Sequence, residues 1–234
     1  MKFSPYASFI RFLYQRLHKR TIVHFDHLWD ASIYVGANYN VATPLDVGAY
    51  FPMNIHIWVY HVFFTVRKFY QQLISYTFTK RYGWLFPLAL VLALPCALLG
   101  APLMRGIRAI PVYRGDRDIV KTARISVDIL LSGDSIAVFP VVDYSSTAED
   151  PSEFYTGFIS IAKKVYRNSG KRVHFIPIHN QMDTHTLTIG KGVEYDPDRP
   201  HKDEVRRICT AMTNFIYFQE ENETELIPPS NPHA

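Results

Sequence analysis

The run from Trp84 to Met104 sets the tightest limit on how this chain can fold. It contains no charged residue and is bounded by Arg81 and Arg105. About twenty such residues suffice to cross a bilayer. Pro87, Pro95 and Pro102, together with Gly100, speak against one straight crossing helix, because each proline removes a backbone donor. Membrane proteins nonetheless accommodate such breaks where neighbouring groups satisfy the freed carbonyls. Three placements follow: re-entrant or interfacial in a membrane, spanning it, or buried beneath the domain. Two of the three bring the segment into contact with lipid.

The N-terminal stretch adds to that expectation. Phe3, Tyr6, Phe9, Ile10, Leu13, Tyr14 and Leu17 recur at three- and four-residue steps, and Lys2, Arg11, Arg16, Lys19 and Arg20 are interspersed among them. The period is that of an amphipathic helix. Such a helix lies in a bilayer interface or packs on its own domain's core. The scattered basic residues leave no clean apolar centre for a cleavable signal peptide. The aromatic content of 15% suits membrane interfaces and apolar tunnels, though large cores use it too. A formal charge of +4 fits an anionic surface or phosphorylated substrates and is too small to argue for nucleic acid. Cys96 and Cys209 make neither a ligand cluster nor a disulfide framework, which points to a reducing compartment.

Along the chain, apolar β-prone runs alternate with amphipathic ones. Strands are expected at 21–26, 32–36, 54–64, 107–113, 135–142, 172–178 and 187–192. Helices are expected at 67–81, 118–131 (closed by Gly133), 153–165 and 200–220, with a short helix or turn after Asp46. This alternation predicts an α/β fold with a largely parallel sheet flanked by helices. The organisation expected is a membrane-proximal helix at 1–20, one α/β domain at 21–220 carrying the apolar insert, and a flexible tail at 221–234. His24, Asp26, His27 and Asp30 have no spacing specific for a metal, since neighbouring strand residues point to opposite faces.

The segment Gly36 to Gly48 leaves a strand through small and polar residues. Within it, Asn40-Val41-Ala42-Thr43-Pro44-Leu45-Asp46 resembles the Asn-His-x-Ser-x-x-Asp block of the glycerolipid acyltransferases, the lysophosphatidic acid acyltransferase superfamily. Four further stretches are similar to that family's later blocks, in order. Ile107 to Arg114 resembles the second block, with Arg114 as the matched residue. Phe139-Pro140-Val141-Val142-Asp143-Tyr144-Ser145 stands where the family has Phe-Pro-Glu-Gly-Thr-Arg-Ser. Phe154 and Gly157 match the Phe-x-x-Gly that follows, and Ile176-Pro177-Ile178 matches an apolar-Pro-apolar strand end.

The resemblance implies an acyltransferase-like sheet and transfer of an acyl group from a thioester, on coenzyme A or acyl carrier protein, to a glycerolipid hydroxyl. No bound cofactor or metal is implied. In that chemistry a His takes the hydroxyl proton, an Asp orients the imidazole, and arginines hold the acceptor's phosphate. Here Asp46 matches the Asp and Thr43 the Ser, but Val41 stands at the His position and has no lone pair. Val141 and Val142 replace the Glu-Gly pair, and Tyr144 stands where the phosphate-binding Arg is expected. The expected site is therefore Asp46 with Arg114, Thr43, Tyr144 and Ser145 as substrate contacts. Read as ordinary residues, Asp46 and Thr43 would cap a helix, Arg114 would be a surface arginine and Ser145 a turn residue. His179, just past the fourth block, is the substitute base best placed for an open α/β sheet. These readings predict an impaired or inactive acyltransferase-like protein of phospholipid metabolism at the cytoplasmic face of a membrane, with a divergent enzyme and a non-catalytic lipid-binding scaffold as alternatives.

Overall fold

A computed structural model describes residues 3–36, 42–51, 53–113, 118–140 and 156–226, with side chains described for all of these but 42, 156 and 217–226. The chain is a mixed α/β protein in which the eight strands among the described residues pair mostly in parallel and are accompanied by helices. It divides into two compact units, Met1–Leu17 with His56–Ile125, and His18–Ile55 with Ser126–Ala234.

The second unit is built on β2 (Ile33–Gly36), whose four residues are all buried. It lies between β5 (Ser135–Val138) and β6 (His174–Gln181) and runs parallel to both. A strand covered on both faces needs a continuous apolar run, and Ile33-Tyr34-Val35 and Ile136-Ala137-Val138 supply it. β6 is the longest strand and carries two antiparallel partners along its other edge. β7 (Thr186–Ile189) pairs with its last four residues, and β8 (Val193–Glu194) with its first two. Pro177 falls between those two ladders. Its missing N–H costs nothing there, while its carbonyl accepts from the Gly190 N–H at 2.8 Å. β1 (Thr21–His24) adds in parallel outside β7, giving the order β1-β7-β6-β2-β5. α6 (Ile159–Ser169) buries Ile159, Ile161, Ala162 and Val165. α7 (His201–Leu226) buries Ile208, Cys209, Met212 and Ile216 at helical spacing. α7 runs on through Leu226, so its last turns occupy part of the stretch expected to be a flexible tail. The run 221–226 is polar but carries no glycine or proline to stop the helix.

The first unit contains α1 (Pro5–Leu17), the parallel pair β3 (Ile55–Tyr60) and β4 (Ile110–Val112), and a helical hairpin. The hairpin's first arm is α3 (Val66–Gln72), which continues as a π-helical stretch, Leu73–Arg81. Its second arm is α4 (Phe86–Gly106), one uninterrupted helix of 21 residues. The prolines do not break it. Pro87 sits in the first turn, where no intrahelical N–H bond is due, and Pro95 is on an exposed face. The packed face is a row of alanines, Ala89, Ala93, Ala97 and Ala101, all fully buried. The first three form a core with Leu73 and Phe78, and Val66, Phe69, Tyr70 and Ile74 are packed against it. α5 (Ile119–Leu131) is followed by Gly133 at φ +93, the left-handed region in which a glycine closes a helix without strain.

Candidate functional site

The carboxyl ends of parallel strands are where open α/β sheets gather their functional groups. In the second unit α2 (Ala42–Tyr50) follows β2, and its residues Thr43, Asp46, Val47 and Ala49 are buried. Thr43 and Asp46, three residues apart, share that inward face. Asp46 is in the second turn of α2 and not ahead of it, so it does not act as a helix cap. The helix starts five residues earlier than the sequence suggests.

Asp46 is completely buried, and a buried carboxylate needs a partner. Its Oδ2 lies 2.9 Å from Nη2 of Arg20, whose side chain is 3% exposed, and accepts a hydrogen bond from Asn180 Nδ2 at 2.8 Å. The same Nδ2 is 3.5 Å from Thr43 Oγ1. Strand pairing sets this geometry. Thr21 is in register with Thr186, which brings Arg20, one residue earlier, to the turn joining β6 and β7. There its guanidinium donates to the Gln181 carbonyl at 3.3 Å and to His185 Nδ1 at 3.2 Å, and contacts Met182 Sδ at 3.3 Å. Asn180 stands near the end of β6, opposite Leu187. One turn beyond Asp46, the Tyr50 phenol is held above its usual value, first by burial and then by the Asp46 charge, with Arg20 opposing.

Two atoms of the cluster are unsatisfied. Arg20 Nε, a donor, and Asn180 Oδ1, an acceptor, are buried and have no hydrogen-bond partner among the described residues. Buried polar groups are nearly always paired, so these two atoms are the unmet hydrogen-bonding capacity of the cluster.

Of the residues singled out in the sequence, Asp46 and Thr43 come together here. Val41, Arg114, Tyr144 and Ser145 lie outside the described residues. His179 is buried on β6, where strand alternation turns it to the face opposite Asn180. Arg20 and Asn180 were not among the expected site residues. Arg20 reads in sequence as the basic end of the amphipathic stretch, and only the β1–β7 register reveals its role. Asn180 carried a usable signal, because a carboxamide at the end of the apolar run Phe175 to Ile178 must find a buried partner. Among the described residues no group of three or more His, Cys, Asp or Glu is placed to hold a metal. A cavity of about 590 Å³ in the same unit includes none of the Asp46 cluster. Its arginines are each paired, Arg172 with Glu194, Arg199 with Asp196 and Arg207 with Glu204.

Compared with protein-family models, with curated proteins and with solved structures, the chain matches none.

Proposed function

We propose that this chain is an acyltransferase-like protein of phospholipid metabolism that has given up the transfer step and holds a glycerolipid or acyl thioester at the cytoplasmic face of a membrane. One observation carries the reading, the ion pair between Asp46 and Arg20. In a His–Asp pair the carboxylate orients an imidazole and balances the charge that the imidazole acquires. Here a guanidinium provides the positive charge, and a guanidinium stays protonated in proteins and cannot take a proton from a hydroxyl. Val41 at the matching position cannot do so either. The carboxylate thus has a positioning role without a base to position.

The unsatisfied pair of atoms supports retained binding. Arg20 Nε offers a proton and Asn180 Oδ1 accepts one. A hydroxyl, of a lipid headgroup or of water, meets either need, accepting from the Nε–H or donating to Oδ1. The apolar α4 agrees with membrane association, being long and apolar enough to cross a bilayer.

The test is acyl transfer from a radiolabelled acyl thioester to lysophosphatidic acid and other acceptors, comparing wild type, Asp46→Asn, Val41→His, and Val41→His combined with Arg20→Gln. The expected result is no product from wild type, with some transfer from the double variant, in which the carboxylate is free to meet the new imidazole. Wild-type transfer that Asp46→Asn abolishes would sink this reading and establish a divergent enzyme.

A further inference from the structure

The helical hairpin of the first unit is apolar on the wrong side for a water-soluble fold. α4 turns its alanines inward and its large side chains outward. Val91 is 70% exposed, Leu99 60% and Leu98 52%, and Leu88 and Leu94 are exposed beside them. Only 22% of its most apolar stretch is buried. A surface of this kind is covered by something apolar.

Charge points to what covers it. Through Tyr113, the first unit (residues 1–17 and 56–113) contains nine Lys and Arg and no Asp or Glu. The chain's net charge of +4 is therefore more than accounted for by this unit. Residues 114–125 of the unit add Arg114, Arg117, Lys121 and Arg124 against Asp116 and Asp118, so its cations outnumber its anions by thirteen to two, as suits an anionic phospholipid surface. Tyr82 and Trp84, both exposed where α4 begins, are the residue types that settle at headgroup depth.

The other arm of the hairpin decides the orientation. At 1.5 Å per residue α4 is about 31 Å long, which matches a hydrocarbon core of roughly 30 Å, so length alone permits crossing. Its packed partner does not. α3 and the π-helical stretch expose Arg67, Lys68, Gln71, Ser75 and Lys80. Arg67 and Lys80 are at most about 20 Å apart along that arm. If α4 crossed, this arm would go with it, and its cations and amides would stand inside the hydrocarbon, where such groups are strongly disfavoured. A hairpin lying flat meets no such conflict, because α4 faces lipid and the polar arm faces water. α1 belongs to the same surface. It is tied to α4 by Ser4 N–H to the Gly106 carbonyl at 3.2 Å and by the Tyr6 hydroxyl to the Leu99 carbonyl at 3.1 Å. It too leaves an apolar stripe exposed, Phe9, Phe12, Leu13 and Leu17, with Arg16 on the same side.

We propose that the first unit is a monotopic anchor for anionic bilayers, in which α4 lies along one leaflet without crossing. The inference rests on the membrane association contained in the proposed function and adds its geometry and lipid class.

The test adds purified full-length chain to preformed vesicles. Flotation is compared between pure phosphatidylcholine and phosphatidylcholine mixed with phosphatidylglycerol. Tyr82→Cys and Arg105→Cys, each in a Cys96→Ala background, are then probed with a membrane-impermeant maleimide. The native Cys209 is buried and remains silent. Expected are several-fold stronger flotation with the anionic vesicles, weakened by salt, and labelling of both engineered thiols from outside on intact vesicles. If either thiol reacts only after permeabilisation, α4 crosses and the monotopic geometry is wrong, while membrane association stands. Equal flotation with both vesicle types overturns the anionic preference. Flotation with neither removes the anchor and the membrane part of the proposed function together. None of these outcomes bears on whether the Asp46 site transfers acyl groups.

Discussion

Arg20 and Asp46 form an ion pair at 2.9 Å in which both side chains are withdrawn from solvent, 3% and 0% exposed. Removing one partner of such a pair leaves an uncompensated buried charge, which costs about 3–5 kcal/mol. Arg20→Met and Asp46→Leu should each lower stability by that order, read from urea unfolding. The double variant should recover most of the loss, because it buries no charge. Additive losses would show that the pair contributes no coupling.

Gly190 permits a close approach that no other residue could. A Cβ there would stand 2.7 Å from both the Phe215 ring and Pro177 Cγ, whereas one on Gly192 would meet its nearest neighbour at an ordinary 3.4 Å. Gly190→Ala should therefore cost about 1–3 kcal/mol by overpacking. Gly192→Ala should stay within about 0.5 kcal/mol of wild type. Thermal unfolding of the two variants side by side checks this.

The two faces of α4 should separate stability from membrane binding. Ala97→Leu forces three extra carbons into the row packed on Leu73 and Phe78, at a cost of about 1–3 kcal/mol. Leu98→Ser, on the exposed face, should leave unfolding in detergent within about 0.5 kcal/mol of wild type but weaken flotation with vesicles.

His174 stacks on Trp29 with ring centroids 4.1 Å apart, and burial holds its imidazole below the usual value against the opposing pull of Glu194 and Asp26. A histidine whose folded-state pKa is depressed binds fewer protons folded than unfolded, so protonation favours unfolding. Its contribution is fully present above the unfolded value of about 6.5 and is lost as pH falls from there through the lower folded value. Between about pH 7.5 and 5.5 the urea midpoint of wild type should fall further than that of His174→Phe, which keeps the stack without the proton.

The two thiols should behave differently. Burial pushes the Cys209 thiol up to about 11, while Cys96 is exposed on α4. At about pH 8, where reactivity follows the thiolate fraction, one equivalent of a maleimide should react with the folded chain and two in denaturant. Bound vesicles should slow the reaction at Cys96.

Local pattern made much of this architecture readable in advance. Ser135 to Val138 and Ile33 to Val35 announce buried strands by composition, and the spacing of Ile208, Met212 and Ile216 announces a core helix. What local pattern cannot supply is a partner from far along the chain. Asp46 is legible as a carboxylate needing company, but Asn180 is 134 residues away and Arg20 lies on the far side of β2. The prolines of α4 misled for a related reason. Each interior proline forfeits one backbone hydrogen bond, and the packing of the alanine row on Leu73 and Phe78 is a tertiary gain, invisible in local pattern, that offsets it. Asp46 suggested a helix start because aspartate often caps, whereas the burial of its face in α2 takes it inside the helix.

The pairing of β2 has a bearing on how the protein is made. Its two neighbours in the sheet, β5 and β6, are encoded about 100 and 140 residues further on, so both of its edges await strands not yet synthesised. The basic, apolar hairpin of residues 66–106 emerges from the ribosome within that interval. A nascent chain thus exposes its greasiest segment, and two unpaired strand edges, before its sheet can close, the condition under which growing polypeptides aggregate. Early capture of that hairpin by a bilayer surface would shelter the segment and hold the unfinished sheet away from other growing chains.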